Sequence, residues 1–96
     1  MTDPSQDDPS ADLVLDGNAV AGVLEAAFGT DVTGVPGQCA HCRTVSSVGQ
    51  LRAYVRGPGS TLRCPACGGV IIRVVETPDA TYVDVRGAAY LRFDRR

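Results

Sequence analysis

Apolar and polar residues recur with two different periods along this chain of 96 residues, and the change of period divides it. Within residues 12–29, Val20, Val23, Leu24, Ala27 and Phe28 return at helical spacing. Asp16 is placed to cap that helix and Gly29 to end it. Further along, Leu51 to Arg56 alternates strictly, Gly57-Pro58-Gly59-Ser60 forms a turn, and Thr61-Leu62-Arg63 continues as a returning strand. Val70 to Val75 is a β-branched run that favours an extended chain. Thr77 to Ala80 turns it into Thr81–Arg86; Gly87 breaks the pattern and Tyr90–Phe93 is a last short extended piece. Residues 1–11 hold almost nothing apolar and are expected to be a disordered acidic tail. Residues 30–37 read as a Gly/Pro-punctuated linker and residues 38–93 as the β-rich domain.

That domain is too small to build a comfortable core unaided, which gives its cysteines their weight. Cys39-Ala-His-Cys42 and Cys64-Pro-Ala-Cys67 are separated by 21 residues. Two residues between cysteines let a tight turn aim both sulfurs at one point, and two such turns complete a tetrahedral shell for one zinc ion per chain. A structural zinc contributes on the order of 10 kcal/mol of apparent folding free energy, so metal binding and folding are expected to be one event. Gly68 after the second pair permits positive φ, which swings backbone amides toward the sulfurs. Arg43 stands at the corresponding place after the first pair, a departure expected to cost some strain while its cation offsets the −2 charge of four thiolates and one zinc ion. Disulfides, Cys-Pro-x-Cys redox chemistry and a four-thiolate iron site are the rival readings. No secretory signal precedes the domain, which disfavours disulfides and suits a cytoplasmic location. Redox motifs of this kind normally open a helix, whereas Cys67 here leads into the Val70–Val75 strand. The expected architecture is a small metal-stabilised, β-rich α+β fold: a zinc ribbon of antiparallel strands with one N-terminal helix.

The order Leu15-Asp16-Gly17-Asn18-Ala19, an apolar helix ending at Phe28, the two C-x-x-C pairs, Leu62-Arg63-Cys64-Pro65 and Val83-Asp84-Val85-Arg86-Gly87 resembles a family of unknown function of small actinobacterial zinc-ribbon proteins. The resemblance covers about residues 13–93. It implies a zinc ribbon and carries no established activity.

Charge is unevenly spread. Residues 1–34 hold seven carboxylates and no Arg or Lys; residues 35–96 hold nine Arg against Glu76, Asp79, Asp84 and Asp94, and the whole chain is −2. No apolar run approaches the ~20 residues of a membrane helix. Four cysteines would close the metal's coordination shell, His41 is the single histidine, and no carboxylate sits in an evidently apolar setting. The chain therefore reads as a non-enzyme with no small-molecule substrate in view. Two kinds of partner remain. Arg52, Tyr54 and Arg56 share one strand face, Tyr82, Asp84 and Arg86 share another, and Arg73 points with Ile71 and Val75. If these faces align, Arg52, Arg56, Arg73 and Arg86 would flank Tyr54 and Tyr82 in a weak, salt-sensitive nucleic-acid surface. A plain solvated sheet is the preferred reading of the same face, because no RNA-module motif accompanies it. The alternative partner is a protein met by the small, apolar N-terminal helix, whose default place is nevertheless on the ribbon itself.

Overall fold

A computed structural model describes residues 14–95; the tail expected over residues 1–11 lies outside them. Among these residues, eight strands form two antiparallel sheets. The larger has the order β1-β4-β5-β6-β7, from β1 (Val14–Asp16), β4 (Arg52–Arg56), β5 (Gly59–Arg63), β6 (Val70–Glu76) and β7 (Thr81–Asp84). The smaller has the order β3-β2-β8, from β2 (Pro36–Cys39), β3 (Val45–Ser47) and β8 (Ala88–Leu91).

The start of the helical segment departs from the sequence expectation over residues 12–29. Val14–Asp16 pairs as a strand with β4, Leu15 opposite Ala53 and Asp16 opposite Arg52. β4 would otherwise expose a row of unpaired backbone groups, and this short segment satisfies them. Asp16 does act as a cap, but of a 3-10 turn over Gly17–Val20: its Oδ1 accepts the Ala19 amide at 3.2 Å. The α-helix proper, α1, is Ala21–Phe28. Gly29 ends it in the left-handed conformation, φ 78°, with its amide on the Glu25 carbonyl at 2.8 Å.

Gly17 explains part of the Asp16-Gly17-Asn18 signature. A Cβ there would overlap the Val48 carbonyl oxygen, so the two 3-10 turns, Gly17–Val20 and Val48–Gln50, meet backbone to backbone. Asn18 packs on Gly49 in the same contact.

α1 lies on one face of the larger sheet. Leu24 is fully buried, joined in the core by Val20, Val32, Val48, Leu51, Ala53, Leu62, Ile72 and Val74, with Val23, Ala27 and Phe28 packed at its margin. The core residues align across strands: Ala53, Leu62 and Ile72 form one row, and Val55, Ser60 and Val74 the next, which ends at the exposed Val83 on β7. The helix thus spends its apolar stripe on its own ribbon. Among the described residues, the opposite face of the sheet is open along the row of Tyr54, Thr61 and Arg73.

One irregularity re-aims a strand. Leu62 pairs with Ile72, yet Arg63 pairs with Val70, so Ile71 is the extra residue of a β-bulge. Ile71 shares a surface with Arg73, as strict alternation places it, yet is only 4% exposed, because Gly87 packs against the backbone at Val70 and Ile71.

Candidate metal centre and the open sheet face

Each C-x-x-C pair occupies the bend of a hairpin, the first between β2 and β3 and the second between β5 and β6. The hairpins belong to different sheets, and their tips meet. Cys39 Sγ lies 3.7 Å from Cys67 Sγ, and Cys42 Sγ lies 3.6 Å from Cys64 Sγ. All four sulfurs fall within 4.8 Å of one another, and all four cysteines are free. Sulfurs bound at 2.3 Å to the centre of a tetrahedron stand about 3.8 Å apart, so the observed spacing fits a four-thiolate ion. Cys39 and Cys64 are buried in the core, whereas Cys42 and Cys67 are exposed.

The two bends share one backbone design. The Arg43 amide donates to the Cys39 carbonyl at 2.9 Å, and the Gly68 amide to the Cys64 carbonyl at 2.8 Å. The His41 amide reaches Cys39 Sγ, the Ala66 amide reaches Cys64 Sγ and the Gly69 amide reaches Cys67 Sγ, each at 3.4 Å. Amide donors stabilise thiolate charge, the state a metal requires. The Thr44 hydroxyl lies 3.2 Å from Cys42 Sγ. Its hydrogen bond, seconded by the Thr44 amide, brings the Cys42 thiol down to about 6. The Gly69 amide acts in the same direction on Cys67, but loss of solvent and the neighbouring sulfurs outweigh it and hold that thiol at about 11. Of Cys42 and Cys67, Cys42 therefore loses its proton first. His41 is exposed and supplies only its backbone amide to the cluster, its ring lying against Gly69.

The open face of the larger sheet collects the other residues singled out in the sequence. Tyr54, Thr61, Arg73 and Asp84 are opposite one another across four strands, and Arg56, Gly59, Val75 and Tyr82 form the adjoining row. Arg52 sits one row further, opposite Arg63. An open trough of about 580 Å³ is lined by Tyr54, Arg56, Thr61, Arg63 and Arg73, with Gly59 and Gly68. Arg86 is not among them. It is clamped to Asp84, Nη2 to Oδ2 at 2.6 Å and Nε to Oδ1 at 3.1 Å, and this pairing holds the Asp84 carboxyl down to about 2.

Arg63 is the residue that the sequence reading missed. Its Nη1 donates to the Gly68 carbonyl at 2.8 Å, and its guanidinium lies 5.7 Å from the Tyr54 ring centroid. A cation over an aromatic face at that range gains about 0.5–1 kcal/mol at an exposed site. The signal was present in Ser60-Thr61-Leu62-Arg63, where buried Ser60 and Leu62 alternate with outward Thr61 and Arg63.

Fold and cluster together define a small β-rich protein with a four-cysteine site able to hold a metal ion, compatible with a zinc ribbon. The chain belongs to a family of unknown function (DUF6510), whose model matches residues 7–96. No curated protein and no solved structure matches it. Among the described residues no helix is long and apolar enough to cross a membrane.

Proposed function

We propose that the chain is a zinc-ribbon binding module in which one structural Zn2+ is held by Cys39, Cys42, Cys64 and Cys67, and that it works by engaging a macromolecular partner, not by catalysis. The observation that carries this reading is the convergence of two hairpin tips from separate sheets onto four sulfurs within 4.8 Å. Four thiolates suit zinc or iron. Zinc is favoured because the site's evident work is mechanical: it ties β2–β3 to β5–β6 around a core that is itself small. A closed tetrahedron leaves no position for substrate or water, which supports a non-enzymatic role. Redox exchange is the weaker alternative. The nearest sulfur neighbours, Cys39 with Cys67 and Cys42 with Cys64, join different motifs, whereas a redox pair works within one.

Native mass spectrometry of the full chain purified without added metal tests the reading. The expected result is one zinc ion per chain. A well-folded protein carrying no ion, or one carrying iron, overturns the zinc assignment.

A further inference from the structure

The open face of the larger sheet carries a cationic trough that the metal centre does not use. Arg56, Arg63 and Arg73 line it, and no carboxylate does. Among the described residues none of these three lies in an ion pair; the ion pairs present join Arg86 to Asp84 and Arg92 to Asp94. Asp84 stands opposite Arg73 in the register and feels its charge, and Asp16 lies in the row of Arg52 and Arg63, but the Arg86 guanidinium already holds the Asp84 oxygens and Asp16 Oδ1 caps the Ala19 amide. The trough therefore keeps its positive charge. Arginine donors in a fixed planar fork suit phosphate oxygens. Two aromatic rings belong to the same face: Tyr54 beneath the Arg63 guanidinium, and Tyr82, 62% exposed in the row of Arg56.

We propose that this trough binds single-stranded nucleic acid, with Arg56, Arg63 and Arg73 on the phosphate backbone and Tyr82 as a stacking platform for an unpaired base. The proposal rests on the reading of the chain as a zinc-held binding module, since the second cysteine hairpin positions Arg63 through the Gly68 carbonyl. A strand is favoured over a duplex for two reasons. The only α-helix among the described residues is docked on the opposite face and is unavailable to enter a major groove. An exposed tyrosine on a flat sheet gains from a base only when that base is unstacked. A phosphate strand is favoured over an acidic peptide because the arginines alternate with aromatic rings, which a carboxylate chain does not need.

The test uses the zinc-loaded full chain and a fluorescent oligothymidine of about 12 nucleotides, a length within the usual single-strand site sizes. Anisotropy is followed between about 50 and 200 mM salt, where single-strand binding loses roughly 0.7 in log–log slope per phosphate contact, so three arginines predict a slope near −2. Arg56→Ala and Arg73→Ala are each expected to remove about 0.7 of that slope and weaken binding several-fold. Tyr82→Ala is expected to weaken binding with the slope unchanged. Arg92→Ala, on an arginine paired with Asp94 outside the trough, is expected to change neither. Absence of binding at the lowest salt, a slope indifferent to Arg56→Ala and Arg73→Ala, or equal competition by a duplex or a polyglutamate peptide overturns the proposal. Metal content measured on the same sample separates two failures. A folded, metal-free chain overturns the zinc-ribbon reading, whereas a zinc-loaded chain that ignores the oligonucleotide overturns only this inference.

Discussion

Arg43 and Gly68 occupy the same place in the two cysteine bends, each directly after the second cysteine, each with its amide on the first cysteine's carbonyl, and each at positive φ, 69° and 80°. For glycine that conformation is free of penalty; for an L side chain the left-handed region costs roughly 1–2 kcal/mol. Arg43 is the sole non-glycine at positive φ among the described residues. The Gln38 side-chain amide, donating to the Arg43 carbonyl at 3.2 Å, helps hold it there. Arg43→Gly is therefore expected to stabilise the zinc-loaded protein by about 0.5–1 kcal/mol, the relief of strain being partly offset by greater chain entropy in the unfolded state. Gly68→Ala is expected to destabilise it by a similar amount. Urea unfolding of the two variants at saturating zinc checks both signs.

Metal removal is expected to unfold the chain. Cys39 and Cys64 are 0% and 1% exposed and sit inside the apolar core, so four sulfurs drawn together without an ion leave buried thiols with nothing to bind. Addition of a strong chelator should collapse the dispersion of the amide NMR spectrum, and zinc should restore it. Cys64→Ser should show the collapsed spectrum even with zinc present. A dispersed spectrum in either case would show that the two sheets hold together on packing alone.

Acidification is expected to release a bound zinc ion, and Thr44 is expected to shift the pH at which it leaves. Its hydrogen bonds favour the Cys42 thiolate and hold that thiol near 6, below its ordinary value of 9.0. A thiol whose folded pKa is depressed contributes stability that is present at high pH and is lost as pH falls through the folded value. Thr44→Val removes the hydroxyl, raises the Cys42 pKa and lets protons compete sooner. The midpoint of zinc release, followed with a chromogenic chelator during an acid titration, is expected to move to higher pH. An unchanged midpoint would remove Thr44 from the account of the site.

Gly17 is expected to tolerate no side chain. A Cβ would strike the Val48 carbonyl and the Gly49 Cα, both backbone atoms that cannot rotate away. Gly17→Ala should cost about 1–3 kcal/mol through overpacking. Gly22 on α1 has open space around it, so Gly22→Ala should be neutral or stabilising by up to about 1 kcal/mol. Thermal unfolding of the pair, each with zinc bound, distinguishes contact from composition.

The clearest sequence signals were those whose cause is local. Paired cysteines in tight turns, the Leu51–Arg56 alternation and the β-branched Val70–Val75 run each declare their conformation within a few residues. Long-range causes hid the rest. Val14–Asp16 is a strand because β4 offers it an edge, and nothing in three residues next to an apolar helix announces that partner. The bulge at Ile71 depends on how β5 and β6 pair, so alternation placed Ile71 with Arg73 but could not show that it would be buried there. Arg63 carried a visible period of two, yet its contact with Tyr54 exists only once two strands lie side by side. Arg86 showed the reverse: its alternation with Tyr82 and Asp84 was real, but a carboxylate two residues away captured it.

Because one cysteine hairpin belongs to each sheet, neither half can assemble a complete coordination shell by itself. Each hairpin closes over a short stretch of chain and can form early; the shell demands that both have formed and met. An ion held there would act as a check on assembly, retained tightly only by a chain whose two halves have already found the right mutual orientation, and if that ion is zinc the rate at which the finished protein accumulates is expected to rise with the supply of free zinc.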